Sequence, residues 1–396
     1  MNEECLDSLR FDNTRYDRIE DEHKGTFEWL WAHDEYKKWS KQNASRLLYI
    51  KGKPGSGKST ITKYFSAHLL EREAGAKSAT VAKFFYSYRD GELQRSHYNM
   101  LRSILYDILE QDEAFFYHLF QMEYRSYLAS LRNHDPGNVV DRHYQSLKRV
   151  LSSLHNHSHS QAKRLYIIVD GVDESDERDR YDILDRLFQL CSETKYIIIK
   201  IFVASRPVVD LDVHRSRGHA FILLEEETRS DISNYARSFL RHLNFTELLA
   251  QAIDYIVKNA QGVFIWVKLV GMELLRSTLG GCSEERIFEF LRGLPTDLED
   301  FYTDMLEKMS TKDSDLGDGI KMFRFVFFAR RPFTVDELLA LGIPDYPDIK
   351  FTPSDDSFKK RVPSEQRIIS CGGNFLEIKP YHGTKRTCPN PSDPQD

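Results

Sequence analysis

The stretch Gly52-Lys53-Pro54-Gly55-Ser56-Gly57-Lys58-Ser59 fits the pattern G-x-x-x-x-G-K-[ST]. An apolar run over residues 47–50 precedes it, and residues 60–70, with apolar side chains at helical spacing, follow it. Glycines allow successive backbone N–H groups to turn toward one anion, and a following helix adds its positive N-terminal end. The pattern, with a strand before and a helix after, predicts a loop that binds the phosphates of a nucleotide.

The residue types of this loop assign chemical roles. Lys58 is expected to reach the β- and γ-phosphates, and the Ser59 hydroxyl to bind Mg²⁺. The base, adenine or guanine, is left open, so the predicted ligand is Mg²⁺ with ATP or GTP. The other residues predicted to contact the nucleotide are Gly52, Lys53, Pro54, Gly55, Ser56, Gly57 and Thr60.

A second motif supplies carboxylates. The apolar run that begins at Leu165 leads into Asp170, and two more acids follow at Asp173 and Glu174. A triphosphatase needs a carboxylate at a strand end to hold Mg²⁺, here through water, and a group that activates the attacking water. Asp170 is predicted for the first role. Gly171 stands where many ATPases carry their catalytic Glu, so either Asp173 or Glu174 is expected to activate water, and their spacing does not decide between them.

A third motif follows the next apolar strand. Arg206 stands in Ala204-Ser205-Arg206-Pro207, directly after that strand. An arginine at this position can sense the γ-phosphate or the carboxylate of the neighbouring strand, and Pro207 ends the strand. We therefore predict a catalytic role for Arg206 beside Asp173 and Glu174.

Apolar strands alternate with helical segments from residue 46 to about residue 227, which predicts a parallel sheet with helices on both faces. A helical insertion is expected over residues 95–155. The predicted fold is an α/β P-loop NTPase with a five-stranded sheet, followed by a helical domain. The predicted strands are 47–50, 79–86, 165–169, 196–204 and 221–224.

Composition excludes several classes of protein. A chain of 396 residues with a net charge of −6 suits two or three domains and argues against a protein that binds nucleic acid through phosphate contacts. Five scattered cysteines indicate reduced thiols. The longest apolar run, residues 196–199, is too short to span a membrane. With no secretory signal at the N-terminus, a cytoplasmic location is predicted.

The histidine-rich stretch from His155 to His159 could suggest a metal site. It lacks both the i,i+4 spacing and the acidic partner of such a site. A solvated polar loop is the preferred interpretation.

The motifs together resemble the NACHT branch of the STAND signalling NTPases, in particular fungal NACHT proteins with a nephrocystin-3-like N-terminal segment. The resemblance covers about residues 5–380 and rests on the phosphate loop, the run 170–174 and the run 204–207. It extends to Arg15, Ile19, Thr26 and Trp29 in the lead-in, to 261–267 in a small helical domain, and to 294–302, 325–341 and 368–378 around a winged helix.

This resemblance implies a domain order and a switch. The expected domains are a helical lead-in (1–45), a NACHT nucleotide-binding domain (46–230), a small helical domain (231–295), an incomplete winged-helix-like domain (296–380) and a disordered tail (381–396). A diphosphate would hold the closed form, and triphosphate would open it and permit homo-oligomerisation. Slow hydrolysis would reset the switch. Fungal relatives imply a role in self/non-self recognition or programmed cell death, through an effector not identified by the sequence.

Three departures from the family suggest a truncated switch. No effector domain precedes the motifs, no sensor repeats follow them, and His382 lacks the context of the family's phosphate-contacting histidine. Arg15 is a candidate contact to the base by resemblance, and a surface salt bridge is the alternative.

Two other functions compete with the switch. A non-catalytic interaction module could hold nucleotide structurally, although the acids at 170, 173 and 174 argue against it. A small-molecule kinase also uses a phosphate loop, but such kinases are compact, whereas about 170 residues follow the sheet here.

Overall fold

The computed structural model divides into two compact units, residues 1–235 and 236–396, which are described separately. No helix in the described part of the chain is long and apolar enough to cross a membrane. The structure describes residues 2–11, 13–73, 76, 79–132, 136–158, 164–192, 195–209, 211, 219–277, 282–310, 313–329, 333–341, 368, 376–381 and 384–389.

The first unit contains five strands and most of the helices. Its strands are β1 (Arg46–Lys51), β2 (Thr80–Phe85), β3 (Arg164–Asp170), β4 (Ile198–Ser205) and β5 (Ala220–Leu223). Its helices are α1 (Asn2–Leu9), α2 (Arg15–Arg18), α3 (Trp29–Ala32), α4 (Asp34–Lys41), α5 (Lys58–Arg72), α6 (Glu92–Arg95), α7 (His97–Gln111), α8 (Glu113–Phe115), α9 (Gln121–Arg132), α10 (Pro136–Ser153), α11 (Arg180–Leu190), α12 (Leu224–Glu227) and α13 (Arg229–His242), the last containing the boundary.

The five strands form one parallel sheet in the order β2-β3-β4-β1-β5. The central strands β1, β3 and β4 are buried along nearly their whole length, as expected for a parallel sheet covered on both faces. The predicted five-stranded P-loop NTPase fold is therefore confirmed. Because parallel strands end at one edge, the residues that follow β1, β3 and β4 meet there.

The edge strand β2 is closed by side chains instead of another strand. Gln111 accepts from the Val81 backbone N–H at 3.0 Å and donates to the Val81 carbonyl at 2.7 Å. The Asp107 carboxylate accepts from the Lys83 N–H at 2.9 Å, and burial raises the pKa of Asp107 to about 6. These bonds satisfy alternate backbone groups of the open edge and protect it from pairing with another chain.

The lead-in packs on the sheet through its aromatic residues, as predicted. Trp39 is fully buried, and its Nε1 donates to the Arg46 carbonyl at 2.9 Å. Lys200 of β4 lies fully buried beneath it and donates to the carbonyls of Trp39 and Gln42, at the C-terminal end of α4. Burial lowers the pKa of Lys200 to about 8. The ammonium group thus caps that helix.

The insertion between β2 and β3 is helical, as predicted, and includes one π-helical turn at Phe116–Phe120. Three of its histidines, His97, His143 and His157, are buried. His157 is buried, and its Nε2 lies 3.0 Å from Asp112 Oδ2, so the expectation of a solvated loop around residues 155–159 was wrong at this position. The sequence gives no sign of this pairing because Asp112 lies 45 residues earlier.

The second unit is mainly helical. Its helices after α13 are α14 (Leu249–Ala260), α15 (Phe264–Ser277), α16 (Glu284–Gly293), α17 (Leu298–Ser310), α18 (Asp313–Phe328) and α19 (Val335–Leu341). The capping box expected before α19 is present, since Thr334 Oγ1 accepts from the Glu337 N–H at 3.2 Å and Glu337 Oε2 accepts from the Thr334 N–H at 2.9 Å.

A small antiparallel sheet completes this unit, with β6 (Phe333–Thr334), β7 (Leu376–Tyr381) and β8 (Thr384–Pro389) in the order β6-β8-β7. The prediction of a disordered tail was wrong for residues 384–389. Thr387 is buried in β8, and its hydroxyl donates to the Phe333 carbonyl at 3.3 Å, so the strand is held by a partner about 50 residues earlier. His382 lies outside the described residues.

Candidate functional site

The phosphate loop lies between β1 and α5, as predicted. Gly55 and Gly57 adopt positive φ values of 69° and 92°, which place them in the left-handed region that favours glycine. At Gly52 a Cβ would lie 2.5 Å from Ser56 Oγ and 3.2 Å from Leu224 Cβ. The three glycines are therefore required by backbone conformation and close packing.

The backbone of the phosphate loop, here called the cradle, is held in shape by contacts that involve few side chains. Ser56 is buried, and its hydroxyl donates to the Lys53 carbonyl at 2.8 Å. Lys53 and Pro54 are themselves exposed, so their contribution is the path of the backbone. Ser59 and Thr60 follow in the first turn of α5, where free N–H groups favour an anion.

Lys58 lies over the loop. Its Nζ donates to the carbonyls of Gly52 at 3.0 Å and Lys53 at 2.7 Å. Burial lowers the pKa of Lys58, whereas the nearby carboxylates of Asp173 and Asp170 raise it. A half-buried ammonium group whose acceptors among the described residues are carbonyls suits exchange for a more strongly charged partner.

Asp170 ends β3 beside α5 and is almost completely buried. Its Oδ1 accepts from the Thr62 hydroxyl at 3.2 Å, while its Oδ2 has no hydrogen-bond partner among the described residues. Burial raises the pKa of Asp170 to about 6, and the nearby Ser59 hydroxyl and the charge of Arg15 oppose this rise. A buried carboxylate oxygen without a partner fits a site for a hydrated cation.

Gly171 explains the spacing of the acids. It has a φ of 68°, and a Cβ there would lie 3.0 Å from the Tyr86 carbonyl. Its N–H donates to the Ala204 carbonyl at 2.8 Å, which fixes the turn against β4. A glutamate directly after Asp170 would be strained and crowded, which favours a second acid later in the chain.

Residues at the end of β4 contact both carboxylate oxygens of Asp173. Its Oδ1 accepts from the Ser205 hydroxyl and from the Arg206 backbone N–H, both at 3.0 Å. Its Oδ2 lies 3.2 Å from Arg206 Nε. The structure thus brings Arg206 to the neighbouring carboxylate, which was one of its two predicted roles, and half of the Arg206 side chain remains exposed.

Glu174 has a different environment. The carboxylate Oε2 accepts one bond, from the Tyr88 backbone N–H at 2.9 Å. An open groove of about 350 Å³ lies next to it. Asp173 also lines this groove, together with the acids Asp176 and Glu177 and the arginines Arg95, Arg178 and Arg180. The two acids that the sequence leaves as equal candidates therefore differ in how many partners they hold.

Arg15 of the lead-in lies close to this edge. Its guanidinium is 4.0 Å from Asp90 Oδ2, and Arg18 forms an ion pair with the same carboxylate. Arg15 therefore takes part in the salt bridge that was the alternative to base contact.

Sequence reasoning missed two polar residues of the site. Thr62 contacts Asp170, and Ser205 contacts Asp173. Thr62 lies one helical turn after Lys58 and so shares its face of α5, a signal that could have identified it. Ser205 stands in the motif that contains Arg206, but its partner is set by the strand order.

Comparison with known proteins agrees with this architecture. Residues 25–206 match the family model described as nephrocystin 3, N-terminal. The chain is 25% identical over 396 residues to the vegetative incompatibility protein HET-E-1 of Podospora anserina, an alignment that covers 95% of this chain and 27% of that protein. The chain thus spans about a quarter of the length of this relative.

Solved structures with similar coordinates include a Walker-type ATPase, PABY2304 of Pyrococcus abyssi, at 16% identity and a TM-score of 0.38, with 98% of each chain covered. Cdc6p of Pyrobaculum aerophilum aligns at 12% identity and a TM-score of 0.36, over 96% of this chain and 94% of that one. The motifs and the sheet order thus show a P-loop NTPase fold, in which residues 25–206 are similar to the nephrocystin 3 N-terminal family and the chain is distantly similar to HET-E-1.

Proposed function

We propose that the chain is a nucleotide-dependent switch that binds ATP or GTP with Mg²⁺ and hydrolyses it slowly. The observation that carries this proposal is the placement of Asp170, a buried carboxylate with one unpartnered oxygen, at the end of the strand beside the phosphate loop. Together with the half-buried ammonium of Lys58, it provides opposite charges for a metal ion and for phosphates in one place.

The residues of the cradle fit the nucleotide. The Gly52–Ser59 backbone and Lys58 would hold the phosphates, and Ser59 with Asp170 would hold Mg²⁺, the latter through water. When bound, the metal ion would neutralise charge on the phosphate oxygens. Lys58 can then leave the carbonyls of Gly52 and Lys53, its current acceptors, for phosphate oxygens.

We assign water activation to Glu174 and a positioning role to Asp173. Asp173 already accepts bonds from Ser205 and Arg206 on both oxygens, so it has little capacity to take a proton. Glu174 is held on Oε2, which leaves Oε1 for the attacking water. Arg206, half exposed and held by Asp173, is placed to respond to charge on the terminal phosphate.

The wider role follows from the relationship to HET-E-1, a vegetative incompatibility protein. We propose that the second unit acts as the helical and winged-helix part of the switch, with homo-oligomerisation in the triphosphate state. The helix pair α18–α19 beside a three-stranded antiparallel sheet supports this assignment. The corresponding biological role is self/non-self recognition that leads to cell death.

The first experiment is to denature the purified protein and identify the released nucleotide by ion-exchange chromatography, with Lys58→Ala as the matched variant. We expect a diphosphate in the wild type, and its base names the preferred nucleotide. Lys58→Ala should retain none, because it lacks the ammonium that faces the phosphates.

Titration with Mg-ATP and Mg-GTP completes the test. Binding by wild type with at least 100-fold weaker binding by Lys58→Ala, on the order of a buried charged contact, supports the switch. Equal binding by both proteins, or none by either, refutes it. Tight binding without turnover leaves the non-catalytic interaction module as the better description.

A further inference from the structure

The loop from Ser87 to Gly91, here called the β2–α6 loop, lies between the lead-in and the acid segment. It begins after Tyr86, whose N–H donates to the Asp170 carbonyl at 3.0 Å. Near its end, Asp90 contacts the lead-in, and at its middle, Tyr88 contacts Glu174. One short loop therefore contacts both the lead-in and the acid segment.

Asp90 is the anchor of this loop. Its side chain is only 10% exposed, and it pairs with Arg18 and lies 4.0 Å from Arg15, each of which is 22% exposed. The Asp90 N–H donates to Ser87 Oγ at 3.3 Å, which closes a turn around Tyr88. Two largely buried arginines around one carboxylate fix the loop more firmly than an exposed ion pair would.

In this turn the Tyr88 backbone N–H donates to the Glu174 carboxylate. The Tyr88 side chain is 55% exposed, so its ring contributes little burial, and its contact with the acid segment runs through the N–H. A catalytic base needs a group that orients it, and a backbone N–H is a donor that no side-chain rotation can withdraw.

We propose that Asp90 and the Tyr88 N–H are positioning elements for hydrolysis: the arginines of α2 hold Asp90, and the loop so fixed orients the Glu174 carboxylate toward the attacking water. This inference rests on the proposed function. It gives the lead-in arginines a role in turnover, separate from nucleotide contact.

The direct test compares Tyr88→Pro with Tyr88→Ala. Both remove the ring that lies 4.2 Å from the Arg95 guanidinium, but only proline removes the backbone N–H. We expect kcat of Tyr88→Pro to be about tenfold below that of Tyr88→Ala, the effect of one hydrogen bond, with KM within twofold. Equal kcat values in two variants that unfold at the same temperature overturn the proposal.

Asp90→Asn tests the anchor, with Asp21→Asn as its control. Asp21 also pairs with a lysine near the lead-in, Lys63, at 2.7 Å, but does not touch the β2–α6 loop. Asp90→Asn should lower kcat several-fold and leave KM unchanged, whereas Asp21→Asn should change neither. A parallel loss in both variants would mean general loosening of the lead-in and would contradict the proposal.

Amide exchange of Tyr88 supplies a readout that needs no turnover. The Tyr88 N–H should be protected in wild type, and Glu174→Ala or Asp90→Asn should speed its exchange at least tenfold. Unchanged exchange refutes the inference even if nucleotide is hydrolysed. Failure of Lys58→Ala to weaken nucleotide binding would instead refute the proposed function, so the two failures are distinguishable.

Discussion

The phosphate loop and the acid segment Asp170–Glu174 lie at the same edge of one sheet, yet they are specified in different ways. The loop is shaped by its own backbone, with left-handed glycines and short internal bonds. The acid segment depends on distant partners, since Asp173 is held by Ser205, 32 residues later, and Glu174 by Tyr88, 86 residues earlier. The comparison teaches that the shape of a loop can be set by local residues, whereas the surroundings of these acids are set by distant ones.

The strongest test of this contrast is Glu174→Gln. If Glu174 activates water, kcat should fall about 100- to 10,000-fold, because general-base catalysis contributes on that order. Nucleotide binding should remain within twofold of wild type, because Glu174 lies outside the cradle. Single-turnover hydrolysis and titration measure the two quantities. A decrease in kcat of less than tenfold would indicate that Asp173, not Glu174, activates water.

Asp170→Asn tests whether a buried acid is kept for function at the expense of stability. The pKa of about 6 in the folded protein lies above the ordinary aspartate value of 3.8, so ionisation of Asp170 destabilises the folded state. The variant should therefore be more stable at pH 7.5 by about 3 kcal/mol, a gain that shrinks as pH falls from 6 toward 4.

Urea unfolding of wild type and Asp170→Asn at several pH values measures this gain, and titration with Mg-nucleotide should show weaker binding by the variant. A variant that is less stable at pH 7.5 would show that Asp170 is not destabilising in its buried position. Thr62→Val is the matched control for the lost hydroxyl contact, since Thr62 donates to Asp170 Oδ1.

Gly52→Ala tests the local character of the phosphate loop. Its Cβ would meet Ser56 Oγ at 2.5 Å, so the loop must shift. Crowding of this kind costs about 1–3 kcal/mol, and if that cost falls on the nucleotide-bound loop it corresponds to a roughly 5- to 150-fold loss of nucleotide affinity. Isothermal titration measures it, with Lys53→Ala as the control, because Lys53 is exposed and offers only its carbonyl. Comparable losses in both variants would contradict a cradle built from backbone.

Asp173→Asn should have the smallest effect. It removes the ion pair with Arg206, which is half exposed, so we expect a stability loss of about 1 kcal/mol and a kcat within tenfold of wild type. Urea unfolding and steady-state hydrolysis give both values. A loss of turnover as large as that of Glu174→Gln would erase the proposed difference between the two acids.

Several elements could be predicted from the sequence because their signals are local. The strands, the phosphate loop and the capping box of Thr334 and Glu337 each depend on residues within a few positions of one another. The hairpin of β7 and β8 and the buried His157 were not predicted. His157 pairs with Asp112, 45 residues earlier, and β8 pairs with β6 as well as with its neighbour β7, contacts over distances that no periodicity reveals.

By itself, the sequence determined the P-loop NTPase fold, the loop from Gly52 to Ser59 and the position of Asp170 at the end of a buried strand, because glycine conformations and buried apolar runs act over short distances. Only the tertiary structure distinguished Asp173 from Glu174. Strand order places Ser205 and Arg206 against one and the Tyr88 N–H against the other. The number of partners a carboxylate holds is a property of the folded chain, so spacing alone could not supply it.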